Sequence, residues 1–325
     1  MTTGPTTTGQ TPVPGSPTPA RAPQLEPDAC QSCGAPRSGE YCPACGERRH
    51  DRERERLPRL ISDAVGGLFS LDGRWPRAFI GLLLRPGELA AEWSSGRRAH
   101  WPKPLSVFLF ANLLYFFFAA KLNIAILRTP LIGHLRATPW AAWLRRRIAA
   151  DPGWDEAESA AIAAGWFSEL GANFERFALQ FDAHADHISK VIVGVLIPLF
   201  ATLLSLAHRG RGRQLMDEWV LSAHFISWWL LVVLLGAWSF IRWVMRASYS
   251  AFPELAELPG DVISVPLLLG LSSWWLATAE KRICPDRSWP RRWLVAILLS
   301  LGFLALAVYP FRWLEFEVAW LTYTP

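Results

Sequence analysis

The 325-residue sequence has few of the patterns that carry catalysis. It contains no Gly-x-Ser-x-Gly nucleophile elbow, no phosphate-binding loop ending in Gly-Lys-Ser/Thr and no His-Glu-x-x-His metalloprotease motif. Charged residues are scarce inside its long apolar runs, and no paired carboxylates occur there, which argues against an ion-coupled pump. The sequence therefore gives no positive support to an enzyme and favours a non-enzymatic protein.

The first 29 residues have almost no large apolar side chains and are rich in Thr, Pro and Gly. Such a segment cannot bury enough surface to offset the entropy cost of ordering, so we predict a disordered tail over residues 1–29. It also lacks a charged region followed by a short apolar region. This excludes a cleavable signal peptide and predicts a cytoplasmic N-terminus.

Long apolar runs, by contrast, are abundant, since 51% of the residues are hydrophobic and 18 are Trp. Five runs approach or exceed the roughly 20 residues that a helix needs to cross a bilayer core of about 30 Å. They cover residues 104–127, 191–207, 219–241, 262–279 and 293–311. The sequence thus predicts an all-α polytopic membrane protein with about five transmembrane helices.

The short loops between these runs predict the orientation of the chain. Residues 208–214 (HRGRGRQ) and 281–292 (KRICPDRSWPRR) are markedly basic, and basic loops stay on the cytoplasmic side. The loop with Glu254, Glu257 and Asp261 suits the outside. Alternation then places the N-terminus inside and the C-terminus, a short tail at 312–325, outside a bacterial inner membrane.

Residues 48–103 are expected to form cytoplasmic amphipathic or interfacial helices. The run 47–59 alternates in charge sign rather than forming a basic stripe, so we expect no nucleic-acid partner. Residues 57–71 place their apolar side chains on one helical face, and the following segment mixes apolar turns with Arg and Trp. These features are typical of helices lying at a membrane surface.

Residues 128–190 are expected to face outward as a helical segment. An apolar stripe with alternating spacings of three and four runs toward the second span: Phe167, Leu170, Phe174, Phe177, Phe181, His184 and Ile188. This heptad pattern predicts one long helix that continues into the membrane. Its stripe is expected to pack on the helix predicted at 138–150 or on another subunit.

Four of the five cysteines form a CxxC-x8-CxxC pattern, with Gly directly after each pair: Cys30, Cys33, Cys42 and Cys45. Two such knuckles predict a closed tetrahedral site for structural Zn²⁺ at residues 30–47. The alternatives are two disulfides, disfavoured in a reducing cytoplasm, and an iron or redox site. Cys284 stands alone in a basic loop, where a plain or lipid-modified thiol is expected rather than a ligand.

Polar residues inside membrane spans are costly and so mark candidate functional positions. The candidates are Asn112, Pro198, Glu218 and His224. Pro198 is expected to kink the second span and free a backbone carbonyl. Glu218 and His224 are six residues apart and do not share a helical face, which disfavours a proton relay between them. We expect His224 to bond to a neighbouring helix.

These elements resemble, in order, a bacterial family of uncharacterised membrane proteins, domain-of-unknown-function family 3667. The first element is the cysteine ribbon. The second element contains the motif residues Pro86, Gly87, Gly96, Arg97, Arg98 and Pro104. The third element, around Pro198 and His224, resembles the family's later spans, although Trp219 stands where many members carry His. The resemblance implies a topology and no activity.

From these features the expected function is that of a scaffold or adaptor. Its cytoplasmic zinc ribbon would dock a protein partner or stabilise the N-terminal region, and its helices would lie in the lipid bilayer, either alone or as a homo-oligomer. The alternative is a small transporter or permease subunit with a path near His224 and Glu218.

Overall fold

The computed structural model describes residues 29–37, 39–49, 73–122, 124, 127, 129–249 and 260–323. The regular secondary structure of these residues is helical, with two isolated β-bridges near the cysteines, and this confirms the predicted all-α class. The chain divides into two units, Met1–Arg49 and His50–Pro325. Nearly all of the predicted N-terminal tail, the predicted amphipathic helix at 57–71 and the acidic pair Glu254 and Glu257 lie outside the described residues.

The helices of the larger unit follow one another with short connections. In chain order they are α1 (Arg74–Leu84), α2 (Glu88–Ser94), α3 (Pro104–Leu122), α4 (Leu131–Ala137), α5 (Ala141–Ala149), α6 (Glu156–Ala164), α7 (Ala172–Ile192), α8 (Leu196–Ala207), α9 (Leu215–Trp228), α10 (Trp238–Tyr249), α11 (Gly260–Ile283), α12 (Trp289–Val308) and α13 (Pro310–Thr322). Two 3-10 turns, Phe167–Glu169 and Val193–Val195, and a π-helical segment, Trp229–Ala237, complete the described helical structure.

Four helical stretches are long and apolar enough to cross a membrane: Pro104–Leu122, Ala172–Ala207, Leu215–Val244 and Trp289–Thr322. They contain the first, second, third and fifth predicted spans, apart from the loop end of the first. The fourth prediction, 262–279, lies within α11, a 24-residue helix that is not among these four. The chain is therefore a membrane protein by its helices, and the total of five spans stays a prediction.

Aromatic side chains form the centre of the main apolar core. The rings of Phe200 on α8, Phe225 on α9 and Phe303 on α12 lie 4.9–5.0 Å apart between centroids. Trp275 of α11 packs against Phe225 at 5.2 Å. Tilted and edge-to-face ring pairs of this kind favour one arrangement of the helices that carry them. They hold α8, α9, α11 and α12 together, and the polar ends of these helices therefore meet.

A second apolar core lies around α7. The predicted stripe is buried at Phe174 and Phe181, and the long helix that it predicted is observed as the continuous stretch Ala172–Ala207. Leu144 of α5 belongs to the same apolar cluster, and the ring of Phe316 on α13 lies 5.5 Å from that of Phe181. The segment 312–325, expected as a short tail, is thus helical through Thr322 and contributes to this core.

The long helix changes geometry near Pro198, where a kink was predicted. The 3-10 turn Val193–Val195 joins α7 to α8, and Pro198 is the third residue of α8. Proline has no N–H to donate to the carbonyl of Gly194, four residues earlier, which is where the helix departs from α geometry. The Thr202 hydroxyl donates to the Pro198 carbonyl at 2.8 Å.

Candidate functional site

The smaller unit is built from two copies of the same short turn. In the first, Cys30 N–H donates to the Ala35 carbonyl and Gly34 N–H to the Cys30 carbonyl. Twelve residues later, Cys42 N–H donates to the Glu47 carbonyl and Gly46 N–H to the Cys42 carbonyl. Gly34 and Gly46 have φ of 75° and 72°, in the left-handed region that glycine adopts without strain. The CxxCG spacing therefore produces a locally symmetric unit.

The four thiols converge between the two turns. Cys30 Sγ lies 3.6 Å from Cys45 Sγ, and Cys33 Sγ lies 3.6 Å from Cys42 Sγ. A tetrahedral Zn²⁺ with bonds of about 2.3 Å needs sulfur atoms about 3.8 Å apart, so the geometry fits the metal. No disulfide links these cysteines. Backbone N–H groups of Ser32 and Cys33 point at the Cys30 sulfur, which helps to hold a thiolate.

A cluster of buried ionic side chains lies where α8, α9 and α11 end or begin. His208, directly after α8, sits between two carboxylates: its Nε2 is 2.5 Å from Glu280 Oε1, and its Nδ1 makes a charge contact of 2.9 Å with Glu218 Oε2. Arg213 Nε donates to Glu218 Oε1 at 2.6 Å, and Arg287 donates to Glu280 Oε2 at 2.5 Å. We call these five residues the ionic cluster.

The cluster is almost closed to solvent, because His208, Glu218 and Glu280 are 3%, 1% and 2% exposed. Arg287 also donates to the carbonyl of Ala207 at 3.2 Å and so caps the end of α8. Since a carboxylate faces each ring nitrogen, His208 is held as an imidazolium. Three cationic side chains then face two carboxylates.

The charges of the cluster shift the pKa values within it. Burial would lower the pKa of His208, but its contacts with Glu218 and Glu280 outweigh burial and raise that pKa above its ordinary value. Burial would likewise raise the pKa of Glu280. The hydrogen bond from His208 and the charges of His208, Arg287 and Arg213 outweigh it and lower that pKa. Both shifts favour the charged forms of the two groups.

The stability of the larger unit should therefore depend on pH. A raised His208 pKa contributes stability that is complete below its ordinary value of 6.5 and is lost as pH rises through the folded pKa. The lowered Glu280 pKa contributes above its ordinary value of 4.5 and is lost as pH falls through the folded pKa. We expect the free energy of unfolding, followed by Trp fluorescence in detergent, to fall on the alkaline side. The variant His208→Gln should lack that fall, and an unchanged slope would contradict the assignment.

The same region contains donor atoms of metal-binding type. His208, Glu280 and Cys284 bring ligand atoms within 4.8 Å of one another, and all three are buried. Cys284, expected as a plain or lipid-modified thiol, is thus buried beside the cluster. Guanidinium groups already bond an oxygen of each carboxylate, and both His208 nitrogens face carboxylates, so the ligand atoms of His208 and Glu280 are already engaged within the cluster.

The family-motif turn at Pro86 and Gly87 packs directly on α11. Gly87 has φ of 75°, and a Cβ placed on it would lie 2.6 Å from Ala279 Cα and 2.7 Å from Ala279 Cβ. No residue with a side chain could take this position without moving one of the two backbones. Ala279 precedes Glu280. This turn therefore packs against the end of α11 that carries the central carboxylate of the ionic cluster.

The other motif residues fix the end of α2 and the start of α3. Gly96, with φ of 82°, donates to the Trp93 carbonyl, and the next N–H donates to the Glu92 carbonyl in a Schellman arrangement. Arg97 binds Glu92 through two hydrogen bonds of 2.7 and 2.8 Å. Arg98 lies over the Trp93 ring at 4.6 Å. Pro104 is the first residue of α3, where its missing N–H costs nothing.

The remaining predicted positions are not brought into one site. Asn112 donates to the carbonyl of Lys190 at 3.2 Å and so links α3 to α7. His224 is 2% exposed, and neither of its ring nitrogens has a hydrogen-bond partner among the residues that the structure describes, contrary to the expected bond to a neighbouring helix. Glu218 is the one predicted polar candidate that belongs to the ionic cluster, while Pro198 shapes α8.

Sequence reasoning missed four members of the ionic cluster: His208, Arg213, Glu280 and Arg287. His208 and Arg287 lie in the two basic loops that were interpreted as orientation signals. Glu280 directly follows the apolar run 262–279, so nothing in the local sequence marks it as a candidate. A usable signal was the presence of His and Glu, residues of opposite charge, at span ends that the topology placed on the same side.

The residues 72–116 match the model of a family described as Protein of unknown function (DUF3667). The match contains α1, α2, the start of α3 and all six family-motif residues, whereas the cysteine ribbon and the region of Pro198 and His224 lie outside it. Comparisons with curated proteins and with solved structures find no match. Over residues 72–116 the chain is thus similar to the DUF3667 family, in agreement with the predicted resemblance.

Proposed function

We propose that the protein is an integral membrane adaptor whose zinc ribbon docks a cytoplasmic protein partner. The observation that supports this most is the symmetric arrangement of four thiols, with Cys30–Cys45 and Cys33–Cys42 sulfur distances of 3.6 Å. Four protein ligands leave a tetrahedral metal no open coordination position, which is typical of structural rather than catalytic zinc. A ribbon of this size offers a rigid surface for recognition or stabilises the N-terminal region.

The proposed location is the bacterial inner membrane with the basic loops in the cytoplasm. In support, the loops 208–214 and 281–292 meet at one end of the bundle, where Arg211 binds Asp286 at 2.7 Å. Two loops that contact each other lie on the same side, as the positive-inside rule requires of two basic loops. The N-terminal ribbon would share that side, and the C-terminus would lie outside.

Zinc analysis of the purified full-length chain tests the ribbon. We expect about one zinc per chain in the wild type, essentially none when Cys30, Cys33, Cys42 and Cys45 are all changed to Ser, and an unchanged content in the matched control Cys284→Ser. Metal content is measured by mass spectrometry on the sample used for partner analysis. Iron in place of zinc would contradict the assignment.

The docking role is tested in the same preparations by comparing co-purified proteins after cross-linking in membranes. A partner present with wild type and with Cys284→Ser, but lost from the four-Ser variant, supports the adaptor. If the four-Ser variant keeps every partner of the wild type while lacking zinc, the ribbon does not dock them, and the proposed function fails.

One observation favours the alternative function, a small transporter or permease subunit. His224 and the indoles of Trp228, Trp229 and Trp275 are buried in the bundle, and none of their ring nitrogens has a hydrogen-bond partner within the described part of the chain. Unsatisfied donors of this kind suit a passing polar ligand. In a Cys284→Ser background, a His224→Cys variant should react with a membrane-impermeant thiol reagent if a path exists. Complete protection from both sides would exclude the path.

A further inference from the structure

A pocket of about 490 Å³ opens beside the ionic cluster and is lined by the two basic loops. Three of its lining residues are arginines, Arg209, Arg211 and Arg213, and one is an acid, Asp286. The formal charge of this lining is therefore +2, from three positive groups and one negative. A concave surface of this charge concentrates anions.

The three arginines differ in how many hydrogen bonds and ion pairs they already make with other residues. Arg213 donates from its Nε to Glu218, and one of its terminal nitrogens, shielded from solvent, has no hydrogen-bond partner in the described ranges of the chain. Arg211 is bound by Asp286, whose side chain is 70% exposed. The exposed side chain of Arg209 makes no ion pair or hydrogen bond with the rest of the chain that the structure describes. Donors thus remain available on the pocket wall.

We propose that this pocket binds a phosphate group. A guanidinium presents several N–H donors in a plane that matches two oxygens of a phosphate, and such charge-assisted bonds are among the strong ones in proteins. Arg209 supplies donors, Arg211 can exchange its exposed partner Asp286 for the ligand, and Arg213 adds its positive charge to the pocket wall. The group belongs either to the headgroup of an anionic lipid or to a soluble phosphate compound.

Arg213 links the pocket to the ionic cluster. Its guanidinium bonds Glu218 through one nitrogen and also lines the pocket. A bound phosphate would therefore compete with Glu218 for the positive charge of Arg213. Glu218 also contacts His208. A ligand in the pocket therefore acts on the junction of α8, α9 and α11.

Binding is measured on the full-length protein with two probes. Inorganic phosphate is titrated into detergent-solubilised protein at constant ionic strength, and its apparent dissociation constant is taken from the rise in Tm. In parallel, the protein is placed in nanodiscs of phosphatidylcholine alone or with phosphatidic acid, and the retained lipid is counted by native mass spectrometry. A response to phosphate indicates a soluble ligand, and selective retention of phosphatidic acid indicates a lipid headgroup.

Three exposed-residue variants keep the proposal falsifiable without disturbing the core. Loss of one charge-assisted hydrogen bond should make Arg209→Gln bind about 10- to 100-fold more weakly. Asp286→Asn should bind more tightly because it releases Arg211, and a folding defect cannot produce that result. Arg291→Gln, an equal loss of charge outside the pocket, should match wild type. Absence of binding by both probes, or equal weakening by Arg209→Gln and Arg291→Gln, would overturn the proposal.

Discussion

Replacing Glu280 by alanine is expected to destabilise the helical unit by about 3–5 kcal/mol, the usual cost of removing one partner from a buried ion pair. Glu280 is 2% exposed and bonds both His208 and Arg287. Without it, three cationic side chains, Arg287, His208 and Arg213, remain with the single carboxylate of Glu218, which bonds His208 and Arg213 but not Arg287. The cost comes from these unpaired charges more than from the lost bonds.

The free energy of unfolding is measured by denaturant titration in detergent, followed through Trp fluorescence. Asp286→Asn is the matched control, because it also removes a carboxylate bound to an arginine, Arg211, but at a position 70% exposed, where no measurable loss is expected. If Glu280→Ala does not fold, Glu280→Gln keeps the shape of the side chain and should give a smaller loss. Equal stability of Glu280→Ala and wild type would show that the cluster does not hold the helix ends together.

The parts of the fold that the sequence predicted are those encoded by local spacing. The cysteine turns depend on Cys30, Gly34 and their repeats twelve residues later, all within one short segment. The long helix α7 was predictable because its apolar stripe recurs at helical spacing. Apolar runs of membrane length likewise need no knowledge of what they pack against.

The parts that it did not predict depend on contacts between distant segments. Glu280 meets His208 across 72 residues, and no periodicity relates the two positions. The packing of α13 on α7 was missed because Arg312, Glu315 and Glu317 interrupt its apolar residues, although Phe316 is fully buried. Gly87 was recognised as a family-motif residue, but the reason why glycine is required there is its close approach to Ala279, which exists only in the folded chain.

Gly87→Ala should be among the most damaging single-methyl changes in the part of the chain that the structure describes, at about 2–5 kcal/mol. Two costs add. A left-handed backbone, with φ of 75°, costs an alanine about 1–2 kcal/mol, and overpacking a tight contact costs about 1–3 kcal/mol. The contact is unusually severe because the atom met at 2.6 Å is the Cα of Ala279, which cannot rotate away.

Gly212→Ala separates these two costs. Gly212 also has a left-handed backbone, with φ of 66°, but no described residue lies within 4 Å of an added Cβ, so only about 1–2 kcal/mol should be lost. The double variant Gly87→Ala with Ala279→Gly should recover part of the loss, since it removes the Ala279 Cβ and leaves the Cα. Equal losses in Gly87→Ala and Gly212→Ala would refute the contact. Because Ala279 precedes Glu280, a displaced α11 should also weaken the alkaline fall in stability assigned to His208, which ties the motif glycine to the ionic cluster.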